Sequence, residues 1–293
     1  MSDLVLFWHR RDLRISDSIG LAQASRTNAR VIGVFCFDRS ILSMNVAPAR
    51  VAYLVGSLKA LAQDYQQAGS QLLFLDGDPV EKIPQLASTL KAKAVYWHYD
   101  VEPYAKTRDD RVTAALKAQN IEIHLNWDQL LHDPTTIRTG SKQPYTVYTP
   151  FWRNWNSQVK PEPVEVKLPQ SELTPAERQA LTQISTIDLP TAQDLGFTWD
   201  SPLAQAPGTS AAAQILAAFC NRSISEYDEQ RNYPAVSGTS SMSAAMKFGT
   251  IGVRTVWAAT TAAMAEARSD EARAGITTWQ QEIAWREFYQ QAM

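Results

Sequence analysis

Five short apolar runs recur along the first 130 residues, each separated from the next by a helix-forming stretch. The runs are LVLFWH (4–9), VIGVFCF (31–37), QLLFLDG (71–77), AVYWHYD (94–100) and IEIHLNWD (121–128). Apolar runs of this length, without polar alternation, suit strands buried on both faces of a parallel sheet. The intervening stretches supply the covering helices. One is SIGLAQASRTN. The longest, 48–69, has Pro48 at its start and Gly69 just past its end, where those residues belong. Residues 80–93, despite Pro84, and 104–120 give two more. Strands alternating with helices mean βαβ units, so residues 1–131 are expected to form an α/β Rossmann-like, doubly wound domain.

After the first strand comes WHRRDLRISD rather than GxGxxG, so no pyrophosphate is expected at that turn. Ligands of such sheets still bind beyond the carboxyl ends of the strands. Those ends carry Arg10 and Arg11, Phe35 to Asp38, and Asp100 with Glu102. Solvated loop charges are the plain alternative.

Residues 132–155 read as irregular but packed, because Tyr145, Tyr148, Phe151, Trp152 and Trp155 crowd into them. Residues 160–207 take seven of the fifteen prolines and show no period. Together they suggest a connector over 132–207. Beyond it the pattern is helical only, and 208–293 is expected to be an all-α region. A single helix over 209–231 would be capped by Thr209 or Ser210. A loop leads to a short helix near Ser243, then a turn at Gly249 and two further helices. The chain stops at Met293 in mid-helix, which is read as truncation of a longer helical domain.

The overall balance narrows the function. With 45% hydrophobic and 20% charged residues, and no apolar run near the ~20 residues of a membrane span, no membrane partner is expected. The first residues lack the pattern of a signal peptide. Cys36 and Cys220 read as buried thiols in a reducing compartment, hence a cytoplasmic protein. His9, His98, His124 and His132 have no metal-ligand spacing, so no metal is expected. The net charge of -2 means that nucleic acid would have to bind a local patch. Nine tryptophans suit core packing or stacking on rings and bases.

Two segments carry candidate chemistry. In QQEIAWREFYQQAM, residues Glu282, Trp285, Arg286 and Tyr289 fall on one helical stripe, with Trp279 a turn earlier. Large rings beside a carboxylate and a guanidinium can stack on a flat group and hydrogen-bond its edge. The plain alternative is a helix packed by its aromatics, with an ion pair between Glu282 and Arg286. In GTSSMSAAMKFG (238–249), Thr239, Ser240, Ser241 and Ser243 place hydroxyls at a helix N-terminus, which suits an anion; Ser243 as a simple N-cap is the alternative.

FWHRRDLRISD, YTPFWRNW, YDEQRNYP from Tyr227, GTSSMSAAMKFG and WQQEIAWREFYQ occur in order over residues 3–293. Together they resemble the DNA photolyases, in particular the class I cyclobutane pyrimidine dimer enzymes of the cyanobacterial, deazaflavin-using type. The resemblance implies a carbon–carbon lyase, most simply monomeric, acting on DNA that contains pyrimidine dimers. Reduced FAD, excited by light, would give one electron to a flipped-out dimer. It implies FAD contacts at Tyr227, Thr239, Ser240, Ser241, Met242, Ser243 and Trp279. Glu282, Trp285 and Arg286 become the catalytic residues, and Arg231, Glu282, Trp285, Arg286 and Tyr289 meet the DNA. An antenna pigment, 8-hydroxy-5-deazaflavin with methenyltetrahydrofolate as the alternative, would lie against Phe35, Asp38, Arg50, Asp100, Glu102 and Lys247. The family's helical domain continues past this chain's end, so the piece alone is expected to be inactive. A cryptochrome-like light sensor without repair is the alternative, disfavoured by the presence of both Glu282 and Trp285. An electron-transfer-flavoprotein type module would leave the second half's motifs unexplained.

Overall fold

The computed structural model of the chain describes residues 3–184 and 186–292. The first half forms five parallel strands: β1 (Leu4–His9), β2 (Arg30–Phe37), β3 (Leu72–Asp76), β4 (Ala94–His98) and β5 (Glu122–Asn126). Their covering helices are α1 (Ile19–Ser25), α2 (Arg39–Leu42), α3 (Pro48–Gln67), α4 (Pro79–Thr89) and α5 (Pro103–Ala118). The strand order is β5-β4-β1-β2-β3, with β6 (Thr186–Ile187) antiparallel on the β3 edge. Every residue of β1 is buried. Two separate apolar cores, one on each face of the sheet, explain the unbroken apolar runs. The chain runs outward from β1 through β2 to β3 and then returns to β4 on the other side of β1, so the carboxyl ends of β1, β2 and β4 open a crevice at the switch point.

Three expectations need correction. First, 132–155 is not wholly irregular: α6 (Tyr148–Ser157) forms within it. Phe151 and Trp155, four apart, bury one face of that helix and join the helical core.

Second, 160–207 is no bare connector. Thr174 and Glu177 make a reciprocal capping box for α7 (Pro175–Leu181), and β6 follows. Ser171 Oγ accepts from the Val31 amide at 2.8 Å, and Leu173 and Leu195 are buried against opposite sheet faces. The segment is a strap fastened to the sheet.

Third, the helix expected over 209–231 breaks. It gives α8 (Thr209–Arg222), a 3-10 turn at Ile224–Glu226 and α9 (Tyr227–Gln230). The break drives Ile224 and Tyr227 into the core, where Gly275 lets the last helix close in: a Cβ there would lie 2.4 Å from the Ser225 carbonyl oxygen. The N-cap of α8 is Gly208 (φ 99°), not Thr209 or Ser210. A Cβ at Gly208 would meet the Ala60 methyl at 2.7 Å, so contact with α3 selects glycine over a hydroxyl.

The remaining helices are α10 (Ser243–Phe248), α11 (Val253–Glu266) and α12 (Asp270–Ala292). None of the helices described is long and apolar enough to cross a membrane.

The sheet and the helical region are joined by buried charge. Arg254, at the start of α11, bonds Asp17 Oδ1 and Asp128 Oδ1, each at 2.6 Å. Arg14 pairs with Asp128, and Asp17 Oδ2 accepts from the Thr255 amide and hydroxyl. All four charged residues are at most 3% exposed.

Candidate functional site

The crevice at the switch point is a cavity of about 420 Å³. Phe35, Asp38, Arg50, Asp100, Glu102 and Lys247 all line it. β2 delivers Phe35 and, just past its end, Asp38; the loop after β4 delivers Asp100 and Glu102; α3 delivers Arg50; and Lys247 crosses over from α10. Arg11 Nη1 lies 3.2 Å from both Asp100 Oδ1 and Glu102 Oε1, and Lys247 Nζ lies 3.8 Å from Glu102 Oε1. Burial pushes the Lys247 ammonium down, Arg11 and Arg50 push it further, and Glu102 and Asp100 oppose the change. Arg50 is exposed where it lines the cavity. At the inner end, Tyr104 OH donates to Asp38 Oδ2 at 2.7 Å, and the Arg108 guanidinium lies 4.9 Å from the centre of the Trp8 ring. Aromatic walls with acceptors and cations at the rim suit a flat, hydrogen-bonding ligand. Tyr104, Arg108 and Trp8 were not singled out in the sequence; their positions at the ends of β1 and the start of α5 were the available signal.

The second candidate region lies in the helical part. The stripe on α12 does not act as a unit. Glu282 Oε1 accepts from Arg231 Nη1 at 2.6 Å, both side chains 37% exposed. The alternative ion pair between Glu282 and Arg286 does not form; Arg286 instead donates to the Gln129 carbonyl at 2.8 Å. Burial pushes the Arg286 guanidinium down to about 10. Trp285 is half-buried and lies flat against Tyr148, while Tyr289 is 63% exposed. The Arg231 guanidinium stands 5.3 Å from the Tyr227 ring centre.

Tyr227 and Trp279 both pack on Phe219, at 5.9 and 5.3 Å between ring centres. Trp279 is only 3% exposed, so as it stands it gives a wall rather than an open ring. In the turn, Met242 is buried in the core that also holds Trp279 and touches Trp285. Thr239, Ser241 and Ser243 are exposed, and their hydroxyls have no partner among the described residues. Ser240 Oγ accepts from the Met242 amide at 3.4 Å. Ser241 adopts φ 51°, and the N-cap of α10 is Met242 rather than Ser243. The alternative role for Ser243 as a cap is thereby excluded.

Sequence reasoning passed over Glu287. It is fully buried, accepts from Trp155 Nε1 at 2.7 Å and from the Leu131 amide, and is raised by burial to about 6. With Arg286 on Gln129, it ties α12 to the loop after β5. Its signal was a carboxylate on the face shared by Gln280, Ile283 and Ala284.

The DNA photolyase family matches residues 5–171, more than half of the chain. A deoxyribodipyrimidine photo-lyase of Synechococcus sp. (strain ATCC 27144) is 54% identical over 294 residues, 100% of this chain but 61% of its own length. An uncharacterized 31.6 kDa protein of Synechococcus sp. (strain PCC 6716) is 56% identical over 286 residues, 97% of this chain and 99% of that one. Among solved structures, a bacterial class III photolyase from Agrobacterium tumefaciens superposes with a TM-score of 0.84 at 27% identity, over 100% of this chain and 59% of that one. The chain thus spans about three-fifths of the length of that photo-lyase. Since the family match runs from β1 into the strap and the likeness continues through α12, this chain belongs to the DNA photolyase family.

Proposed function

We propose that the chain serves light-driven repair of cyclobutane pyrimidine dimers in DNA, as a deoxyribodipyrimidine photo-lyase. The observation that carries this is the pairing on α12 of a half-exposed carboxylate, Glu282, with an indole one turn on, Trp285. A dimer inside a duplex is out of reach and must be extruded; a lesion that stacks poorly is extruded at lower cost. Trp285 offers it a stacking surface, contributing about 1–3 kcal/mol by analogy with single-strand binding. Glu282 can accept hydrogen bonds from the pyrimidine edge, and Arg231, its present partner, would then be released to a phosphate.

FAD fits the residues present. The unengaged hydroxyls of Thr239, Ser241 and Ser243, with Ser240 beside them, can donate to its phosphates, and Met242, Tyr227 and Trp279 form apolar backing. When bound, reduced FAD supplies on illumination the electron that opens the cyclobutane ring and then returns. The chain's own residues hold, orient and shield; no acid–base pair or nucleophile is required of them. Arg286 fixes α12 against Gln129 close to this region.

The cavity at the switch point fits an antenna pigment. Its aromatic wall and Arg50 suit 8-hydroxy-5-deazaflavin, with methenyltetrahydrofolate as the alternative. On this reading, residues 1–131 are the antenna domain, 132–207 the connector between the domains, and 208–293 part of the FAD and DNA region of a cytoplasmic monomer.

The test uses the protein expressed in full from its gene. Its absorption spectrum should show flavin, and blue light should restore thymine dimers to thymines. Glu282→Ala and Trp285→Ala should each cut repair tenfold or more. A protein that holds flavin yet leaves dimers intact under blue light would replace repair by signalling.

A further inference from the structure

The Trp285 indole does not stand free. Tyr148, the first residue of α6, lies against it with ring centres 3.5 Å apart and planes within 8°. The Tyr148 hydroxyl donates to the Gln281 carbonyl at 3.0 Å. In an α-helix that carbonyl is the one used by the amide four residues on, which is Trp285 itself. Tyr148 therefore grips residue 285 twice, by its ring and through its helical turn. The grip is firm because α6 is anchored by Phe151 and Trp155, which are 1% and 0% exposed. Burial, and then the charge of Glu282, raise the Tyr148 phenol, so it stays protonated as a donor.

We infer that Tyr148 is the positioning residue of the base-stacking site: it fills one face of the Trp285 indole and fixes its plane, so that an unpaired pyrimidine can stack only on the other. This rests on the reading of Trp285 given above. Tyr289, with its ring centre 5.5 Å from the indole and its plane tilted by 24°, flanks the ring but is exposed enough to swing aside. An indole without Tyr148 would sample several rotamers, and a ligand would have to order it. Ordering one such side chain weakens binding by about threefold to tenfold.

The experiment measures binding in the dark of an oligonucleotide with one thymine dimer, and of its undamaged counterpart, by the full-length protein. The readout is the preference for the damaged strand, which general loosening of the fold does not select. Trp285→Ala should lower it about tenfold or more, and Tyr148→Leu about threefold to tenfold. Tyr148→Phe, which keeps the ring and loses only the hydroxyl, should stay within about twofold. Near-ultraviolet circular dichroism should show the stacked-ring signal in wild type and Tyr148→Phe, and its loss in Tyr148→Leu and Trp285→Ala. If Tyr148→Leu does not fold, Tyr148→Met takes its place. Wild-type preference in the Leu or Met variant beside a weakened Trp285→Ala overturns the role of Tyr148 and leaves the stacking site standing. A Phe variant as weak as Leu overturns the ring as the positioning device, since the bond from the hydroxyl to the Gln281 carbonyl would then carry the effect. Undiminished preference in Trp285→Ala removes the stacking site, and the inference with it.

Discussion

Glu287 shows how far one buried carboxylate can reach. Its folded pKa of about 6 stands above the ordinary 4.5, chiefly because burial disfavours the ionised form. The folded state therefore holds that proton more tightly than the unfolded one. Its stabilising effect is fully present below pH 4.5 and is lost as pH rises through about 6. His132, beside it, runs the other way. Burial and Lys160 push its imidazole from 6.5 down to about 4, so its contribution is present above 6.5 and lost as pH falls toward 4. Between these values the two slopes oppose each other. In Glu287→Gln only the histidine slope remains. The deficit of that variant relative to wild type, measured by urea unfolding at pH 4.5, should therefore shrink by up to about 2 kcal/mol by pH 7. An equal deficit at both pH values would show that the Glu287 proton is not linked to folding.

Among the elements, α10 depends most on one backbone conformation. Gly249 ends it at φ 65°, and a Cβ there would lie 2.1 Å from the Arg11 carbonyl oxygen and 2.6 Å from Asp12 Cα. Both neighbours are backbone of the loop after β1, which is held in turn by the bond from the Leu13 amide to the Phe248 carbonyl at 3.0 Å. Gly249→Ala should lose at least about 2 kcal/mol, from the left-handed conformation and the clash together. Gly140→Ala, with nothing within 4 Å of its Cβ, should stay within about 0.5 kcal/mol in the same denaturation series. The turn at Gly249 was legible in the sequence, as were the five strands, because unbroken apolar runs have one stable use. Phe35, Asp38, Asp100 and Glu102 were legible at the carboxyl ends of β2 and β4, whereas Arg50 and Lys247, on α3 and α10, were named only through the family resemblance. The glycine at 208 and the break at Ser223 were not, because each answers to a distant surface: Ala60 on α3 in one case, Gly275 on α12 in the other. α6 was hidden by its own aromatics, which signal packing without a clear period. Glu287 and Arg254 were hidden because a charge within a helical segment reads as solvent-facing until its partner is known.

Over the whole molecule, the sheet and the helical region meet through buried ions as well as apolar contact. Burial alone would raise the Asp128 carboxyl and lower the Arg254 guanidinium. Arg14, His98 and Arg254 instead hold the carboxyl well below its ordinary value, while Asp128 and Asp17 raise the guanidinium. A lowered carboxyl gives stability that is present above its ordinary pKa and lost as pH falls, so acid should part the two regions before it melts the sheet. The asymmetry of buried pairs makes this testable at neutral pH. Replacing all partners by apolar groups can be neutral, but removing one leaves the others charged, buried and unpaired. Arg254→Met takes from Asp17 its cationic partner and should cost about 3–5 kcal/mol, with Asp128 left to Arg14 and His98. Lys247, one turn before the junction with α11, sits at the cavity rim, so the damage should reach the cavity as well. Scanning calorimetry should show one transition in the wild type, because the ionic weld makes the two regions unfold together, and two in Arg254→Met, the helical region melting first. A single transition in the variant with a loss under about 1 kcal/mol would mean that apolar contacts around Phe248 and Tyr53, with ring centres 5.3 Å apart, hold the halves together without the ions.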